Sequence, residues 1–241
     1  MSYNLNIIYI ICVLFQLLRD WLENSGWTHA LIQANITSSG TADSFIRASH
    51  VTKTRHAHQV TAATLHTLLK QAYSEDFTPD DGNTTQPDDE VFEEWCTQRA
   101  KASVHFDYWL KTQTLEVLLL VYIRSLREGN FELYVQSLTQ IMPWMFALDH
   151  THYSGWLSVH IRDMMNLTDK HPDVLAELKS GKFVVHKTSN KVSAMSVDQC
   201  HEQNNAVVKG SGGAVGLTGN PEALQTLDGG RARNSQDHYR V

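Results

Sequence analysis

The run Leu115-Glu116-Val117-Leu118-Leu119-Leu120-Val121-Tyr122-Ile123 constrains the fold of this chain more than any other segment. It lies within Asp88 to Glu128, which reads as one long helix or two in line. Asp88, Asp89 and Glu90 crowd the start of that stretch, and Arg124 and Arg127 crowd its end ahead of Gly129. Both placements suit the helix dipole. A helix that is apolar nearly all round has to be buried among other helices. Glu116 is the exception inside the run. The expected architecture is therefore a bundle assembled around this segment.

The flanking sequence supplies the partners. Ile7 to Glu23 reads as a helix stopped by Asn24-Ser25-Gly26, and Trp27 to Ala34 as a short second helix. Thr37-Ser38-Ser39-Gly40 reads as a turn, and Ala42 to Ala48 as one or two helical turns. Arg55 to Tyr73 is a clear helix, with Val60, Leu65, Leu68 and Leu69 on adjoining faces. Asn130 to Met142 makes another, which Pro143 is expected to kink or end. Tyr153, Trp156, Leu157, His160, Ile161, Met164 and Leu167 fall on one helical stripe. Pro172 to Ser180 is a short helix with proline at its first position and Gly181 after its end.

The period changes at Lys182. Phe183-Val184-Val185 and Val192 to Val197 read as the strands of a hairpin, with a turn at Thr188 to Lys191. Asp198 opens a helix through about Lys209, followed by a Gly-rich loop and a short helix, Pro221 to Leu227. The fold class is mainly α: an irregular helical array with a small C-terminal β-hairpin followed by a helix. The expected parts are an apolar N-terminal segment (1–17), N-terminal helices (18–74) and an acidic flexible loop (75–90). A helical core (91–181), the hairpin, helix and Gly-rich loop (182–228) and a disordered tail (229–241) complete them.

Composition narrows the function classes. Over 241 residues, 42% hydrophobic and 19% charged content excludes a mainly disordered, highly charged chain. A net charge of −6 excludes a simple polycation for nucleic acid. Nine acids and no Lys or Arg lie between Glu75 and Glu94, so the remainder, with 20 basic and 17 acidic residues, is mildly positive. Cys12, Cys96 and Cys200 are sparse and unpaired in spacing, which argues against a disulfide framework and for an intracellular, nuclear or cytoplasmic setting. Asn35, Asn83 and Asn166 head sequons that carry little weight. Ile7 to Leu18 is too short for a membrane span of about 20 residues. A buried helix is the leading reading there, membrane association or an uncleaved signal element through 7–18 a lesser one, and a non-native N-terminal segment the third.

Few constellations carry chemistry. Asp198, Glu202, Asn205 and Lys209 share one face of a helix. Their carboxylates could contribute to a Mg²⁺ site, but one helix cannot surround a metal pair. On spacing alone, Asp198 is better read as a helix cap and Glu202 as a solvent-facing residue. Asp149-His150-Thr151-His152 and Cys200-His201-Glu202 contain ligand types for zinc or iron in no strong spacing pattern. Lys53, Arg55, His56 and His58, beside His50, make a small basic patch that could meet a nucleic acid backbone. Gly210 to Gly216 closes a helix rather than opening one, so a phosphate loop is disfavoured. No G-x-S-x-G elbow is present.

Five segments together carry a resemblance. They are Leu18 to Trp27 (LRDWLENSGW), Thr54 to Val60 (TRHAHQV), Met142 to His150 (MPWMFALDH), Val159 to Met164 (VHIRDM) and Asp198 to Gly210 (DQCHEQNNAVVKG). Across about Phe15 to Leu224 the chain resembles a large multicopy family of uncharacterised, transposon-derived proteins of marine invertebrates and fishes. The resemblance implies an RNase H-like nuclease core of the transposase type in longer members. Glu202 would then be the last catalytic carboxylate and a metal ligand, Asp198 a second ligand, and Lys209 a phosphate contact. The helices from Trp21 to Gly181 would be an insertion. Longer members carry Asp-Gln-Pro and Gly-Gly-Phe-His motifs upstream, and Met1 to Leu14 stands in their place here. His152 is a second departure, since the family tends to have Asn there. The expectation is a truncated remnant without catalysis of its own. It would need no cofactor in this chain, and Mg²⁺ only where the missing core is present. Its expected partners are nucleic acid or that missing N-terminal part. The alternatives are a helical protein-interaction module, or the C-terminal part of a Mg²⁺-dependent nuclease. In the module reading, Asp149, His150, His160, Arg162, Asp163 and His201 form a buried polar network around the hairpin.

Overall fold

The computed structural model describes residues 7–47, 51–76, 89–186, 188–190 and 192–196. Along the chain run α1 (Ile7–Leu22), α2 (Trp27–Gln33), α3 (Ser39–Ile46), α4 (Val51–Asp76) and α5 (Asp89–Ala102). Then follow α6 (Val104–Glu128), α7 (Phe131–Ala147), α8 (Thr151–Met165), α9 (Leu167–Lys170) and α10 (Pro172–Lys179). The last described elements are β1 (Val184–His186) and β2 (Ala194–Ser196), an antiparallel pair with Val185 opposite Met195. The protein is mainly α with one small hairpin near the C-terminus, as the periodicity implies. The helix expected from Asp198 lies outside the described residues.

The apolar run does form the centre. Leu115, Leu118, Leu119, Tyr122, Ile123 and Leu126 of α6 are buried, and α6 packs against α1, α4, α5, α7 and β2. Enclosure is incomplete, since Val117 stays exposed. The expected in-line geometry before α6 is corrected. Ser103 adopts an extended backbone and its Oγ accepts a hydrogen bond from Phe106 N at 3.3 Å, starting a new helix. A continuous helix would hold Trp95 and Phe106 about 16 Å apart at 1.5 Å per residue. Their rings instead meet edge-on at 5.5 Å, so α5 folds back beside α6.

At the other end of α6, Gly129 closes the helix in the left-handed region at φ +66°. The Asn130 N–H returns to Ser125 O at 2.9 Å, and Asn130 Oδ1 accepts from Leu133 N at 3.0 Å to start α7. A Cβ at Gly129 would lie 3.0 Å from Val184 Cγ2, so glycine also lets β1 approach. Pro143 does not end α7, which continues to Ala147. Burial of Met145, and Trp144 meeting Trp21 edge-on at 5.7 Å, hold the last turn despite the missing N–H.

Helix α1 lies in the main core. Ile10, Val13, Leu14, Phe15, Leu17, Leu18 and Leu22 are all buried with residues of α6 and α7. The expected boundary between 17 and 18 thus falls inside one buried helix. The expected edges of the acidic segment are also corrected, because α4 runs to Asp76 and α5 begins at Asp89, and the residues between them lie outside the described ones. Among the described residues no helix is long and apolar enough to cross a membrane. A second apolar cluster, Tyr73, Trp95 and Cys96 with Leu69, Ala72, Phe92, Phe106 and Leu110, joins the far end of α4 to α5 and α6.

Candidate functional site

Two features stand out where α4 crosses α6: a sealed ionisable pair, and an apolar groove beside it. The pair follows from the exception in the apolar run. Glu116 is fully buried on α6, and His58 on α4 is 2% exposed. His58 Nδ1 lies 2.9 Å from Glu116 Oε1, the two atoms sharing one hydrogen bond. The imidazole is stacked between Trp27, at 4.9 Å between centroids, and Phe15, at 5.5 Å. Burial pushes the Glu116 carboxyl above its ordinary value, and His58 opposes that rise. Glu116 Oε2 is buried without a hydrogen-bond partner.

The groove begins one turn further along. His58 of α4 meets Glu116 of α6, while Leu69 and Ala72 share a cluster with Phe106 and Leu110, so the two helices run antiparallel. Trp27 Nε1 donates to Thr61 Oγ1 at 2.8 Å, and Thr61 Oγ1 donates to Ala57 O at 2.9 Å. From there a groove of about 520 Å³ extends between the two apolar clusters. The main core contributes Trp27, Leu31, Ile36 and Trp109 to its walls, and the second cluster contributes Leu69, Ala72, Phe106 and Leu110. Among the described residues, no charged residue and no histidine or cysteine lines it. Its α4 lining runs from Val60 to Ala72, a span of about 18 Å at 1.5 Å per residue. Volume and lining match a small-molecule site.

The residues expected to carry function separate from one another. Asp198, His201, Glu202 and Lys209 lie outside the described residues. In the basic patch, Lys53 and His56 are exposed on α4. Arg55 is partly buried with its Nε unpartnered, and burial together with the nearby Arg127 lowers its pKa. His58 is a correction: a side chain stacked between two rings and hydrogen-bonded to Glu116 cannot reach a nucleic acid backbone. The four residues alternate around α4, so they do not present one surface.

The expected polar network is also corrected. Asp149, Arg162 and Asp163 are exposed, and Arg162 pairs with its neighbour Asp163 at 2.8 Å. His150 sits at the α7–α8 junction with Nε2 3.3 Å from Asp20 Oδ2 of α1, close enough for attraction but out of line for a hydrogen bond. His160 is elsewhere, its Nε2 3.0 Å from Tyr134 Oη, and burial lowers its pKa while Asp163 opposes. These residues divide between two places because α8 carries His150 and His160 almost three turns apart. Among the described residues no group of three or more His, Cys, Asp and Glu is placed to hold a metal ion.

Sequence reasoning missed the His58–Glu116 pair. The lone acid in the run Leu115 to Ile123 was the available signal, since a buried charge needs a partner. Nothing in the sequence marks which of thirteen histidines supplies it. Two quoted motif segments do meet: Trp21 stacks on Tyr108 at 5.2 Å and takes Trp144 on its edge, while Asp20 faces His150.

A family described as Domain of unknown function (DUF8702) matches residues 26–227, a stretch that includes α2 through β2. No curated protein and no solved structure matches the chain.

Proposed function

We propose that this chain, which belongs to the DUF8702 family, is a non-catalytic helical binding module left from a transposon-derived protein, with the groove along α4 as its working surface. One observation carries the reading. Among the described residues the groove walls are uncharged, and the ionisable pair His58–Glu116 is closed off behind Trp27 and Phe15. General acid–base chemistry needs a titratable group within hydrogen-bond reach of the reacting atom. Among the described residues the groove offers none, whereas a concave apolar surface of this size supports binding.

The test pairs activity with binding. Purified protein is incubated with single- and double-stranded DNA and RNA in Mg²⁺, and a neutral apolar ligand is titrated while tryptophan fluorescence is followed. The expected result is no cleavage, together with saturable binding that Leu68→Glu, on the exposed groove rim, abolishes without loss of helical circular dichroism. Mg²⁺-dependent cleavage that disappears in Glu202→Gln would overturn the proposal.

A further inference from the structure

We infer that the groove binds a neutral, elongated apolar molecule whose head is a hydrogen-bond acceptor without a donor, a ketone or ester carbonyl, held by the side-chain N–H of Gln113. The inference rests on the groove being the working surface and adds the ligand class. Neutrality follows from the walls. Among the described residues they hold no Lys, Arg or His to balance an anion and no Asp or Glu to balance a cation, so a charged head would be desolvated without compensation. Shape follows from length. The α4 lining spans about 18 Å at 1.5 Å per residue, which suits a chain-like molecule better than a compact one.

Gln113 sets the head group. It lines the groove and is only 9% exposed. The two ends of its amide differ. Oε1 is sealed within the wall, so no ligand in the groove reaches it. Nε2 is not sealed and has no partner among the described residues, so only what enters the groove can pair with it. A ligand that fills the groove displaces solvent from that N–H, and a donor covered by an apolar chain stays unpaired at a cost. A carbonyl oxygen placed there restores the bond. The hydroxyls are poorer anchors. Ser25 Oγ accepts from Trp27 N at 3.2 Å, Thr61 Oγ1 accepts from Trp27 Nε1 and donates to Ala57 O, and Thr64 is exposed to solvent. Gln113 is also the groove residue of α6 nearest in sequence to Glu116, whose partner His58 stacks on Trp27. The head therefore lies at the Trp27 end, and the chain runs toward Leu69, Ala72 and Phe106.

The experiment titrates the full chain with 2-dodecanone, its isostere 2-methyl-1-dodecene (C=CH₂ in place of C=O) and dodecanoate below their aggregation limits, following tryptophan fluorescence and heat. Saturable binding of ketone and alkene is expected, with dodecanoate weakest. Gln113→Met, of similar volume, is expected to weaken the ketone about five- to tenfold, the loss of one net hydrogen bond, and to leave the alkene within about twofold. Gln113→Leu gives the same readout should the methionine variant fail to fold, and Leu68→Glu is expected to abolish binding of all three. Equal effects of the Gln113 substitution on ketone and alkene overturn the acceptor inference and leave the groove reading standing. Tightest binding by dodecanoate overturns the neutrality argument. No saturable binding of any of the three overturns both the inference and the groove reading.

Discussion

Replacing His58 by Phe tests what the buried pair contributes. The phenyl ring can occupy the same slot, stacked between Trp27 and Phe15, so apolar contact is kept. What is lost is the hydrogen bond at Glu116 Oε1, while Oε2 is already unpartnered. Both carboxyl oxygens would then be buried without partners. Removing one member of a buried pair costs about 3–5 kcal/mol, and His58→Phe is expected to fall at the lower end because Glu116 can take up a proton. The loss should therefore be larger at pH 8 than at pH 5. Adding Glu116→Leu removes the orphaned carboxyl, and the double variant should return to within about 1 kcal/mol of the parent or exceed it. Urea denaturation followed by circular dichroism and tryptophan fluorescence measures all four corners of the cycle. A double variant as unstable as His58→Phe alone would refute the reasoning, since the cost would then lie in ring packing and not in the stranded acid.

Other outcomes follow from the same geometry. The raised Glu116 pKa means the folded chain holds that proton more tightly than the unfolded chain does. Its contribution to stability is full below the ordinary value of 4.5 and is lost as pH rises through the folded value. Denaturation midpoints from pH 4 to 8 should show a decline that Glu116→Gln reduces. Gly129→Ala places a Cβ at φ +66° and 3.0 Å from Val184, and should cost more than about 1 kcal/mol by thermal denaturation. Leu119→Ala, at a fully buried position of α6, should cost about 2–5 kcal/mol by urea denaturation with no change in secondary structure.

The sequence by itself determined that the chain is a helical array, that α6 is its axis, and that a hairpin begins near Lys182. Those conclusions rest on local signals: the 3.6-residue spacing of apolar side chains, the caps at Gly129 and Pro172, and the switch to alternation. Boundaries that depend on packing were less legible. Whether Pro143 ends α7 depends on Trp21 and Met145, and whether the chain turns at Ser103 depends on Trp95 reaching Phe106. Tertiary structure alone decided which charges are buried and where the groove lies. Glu116 could be seen as an anomaly in an apolar run, but its partner is 58 residues away, and no local rule selects His58 over exposed His56. The groove is less visible still, because its walls come from two separate apolar clusters. A sequence records which residues are apolar. The packing of α4 on α6 sets which of them leave a space between them.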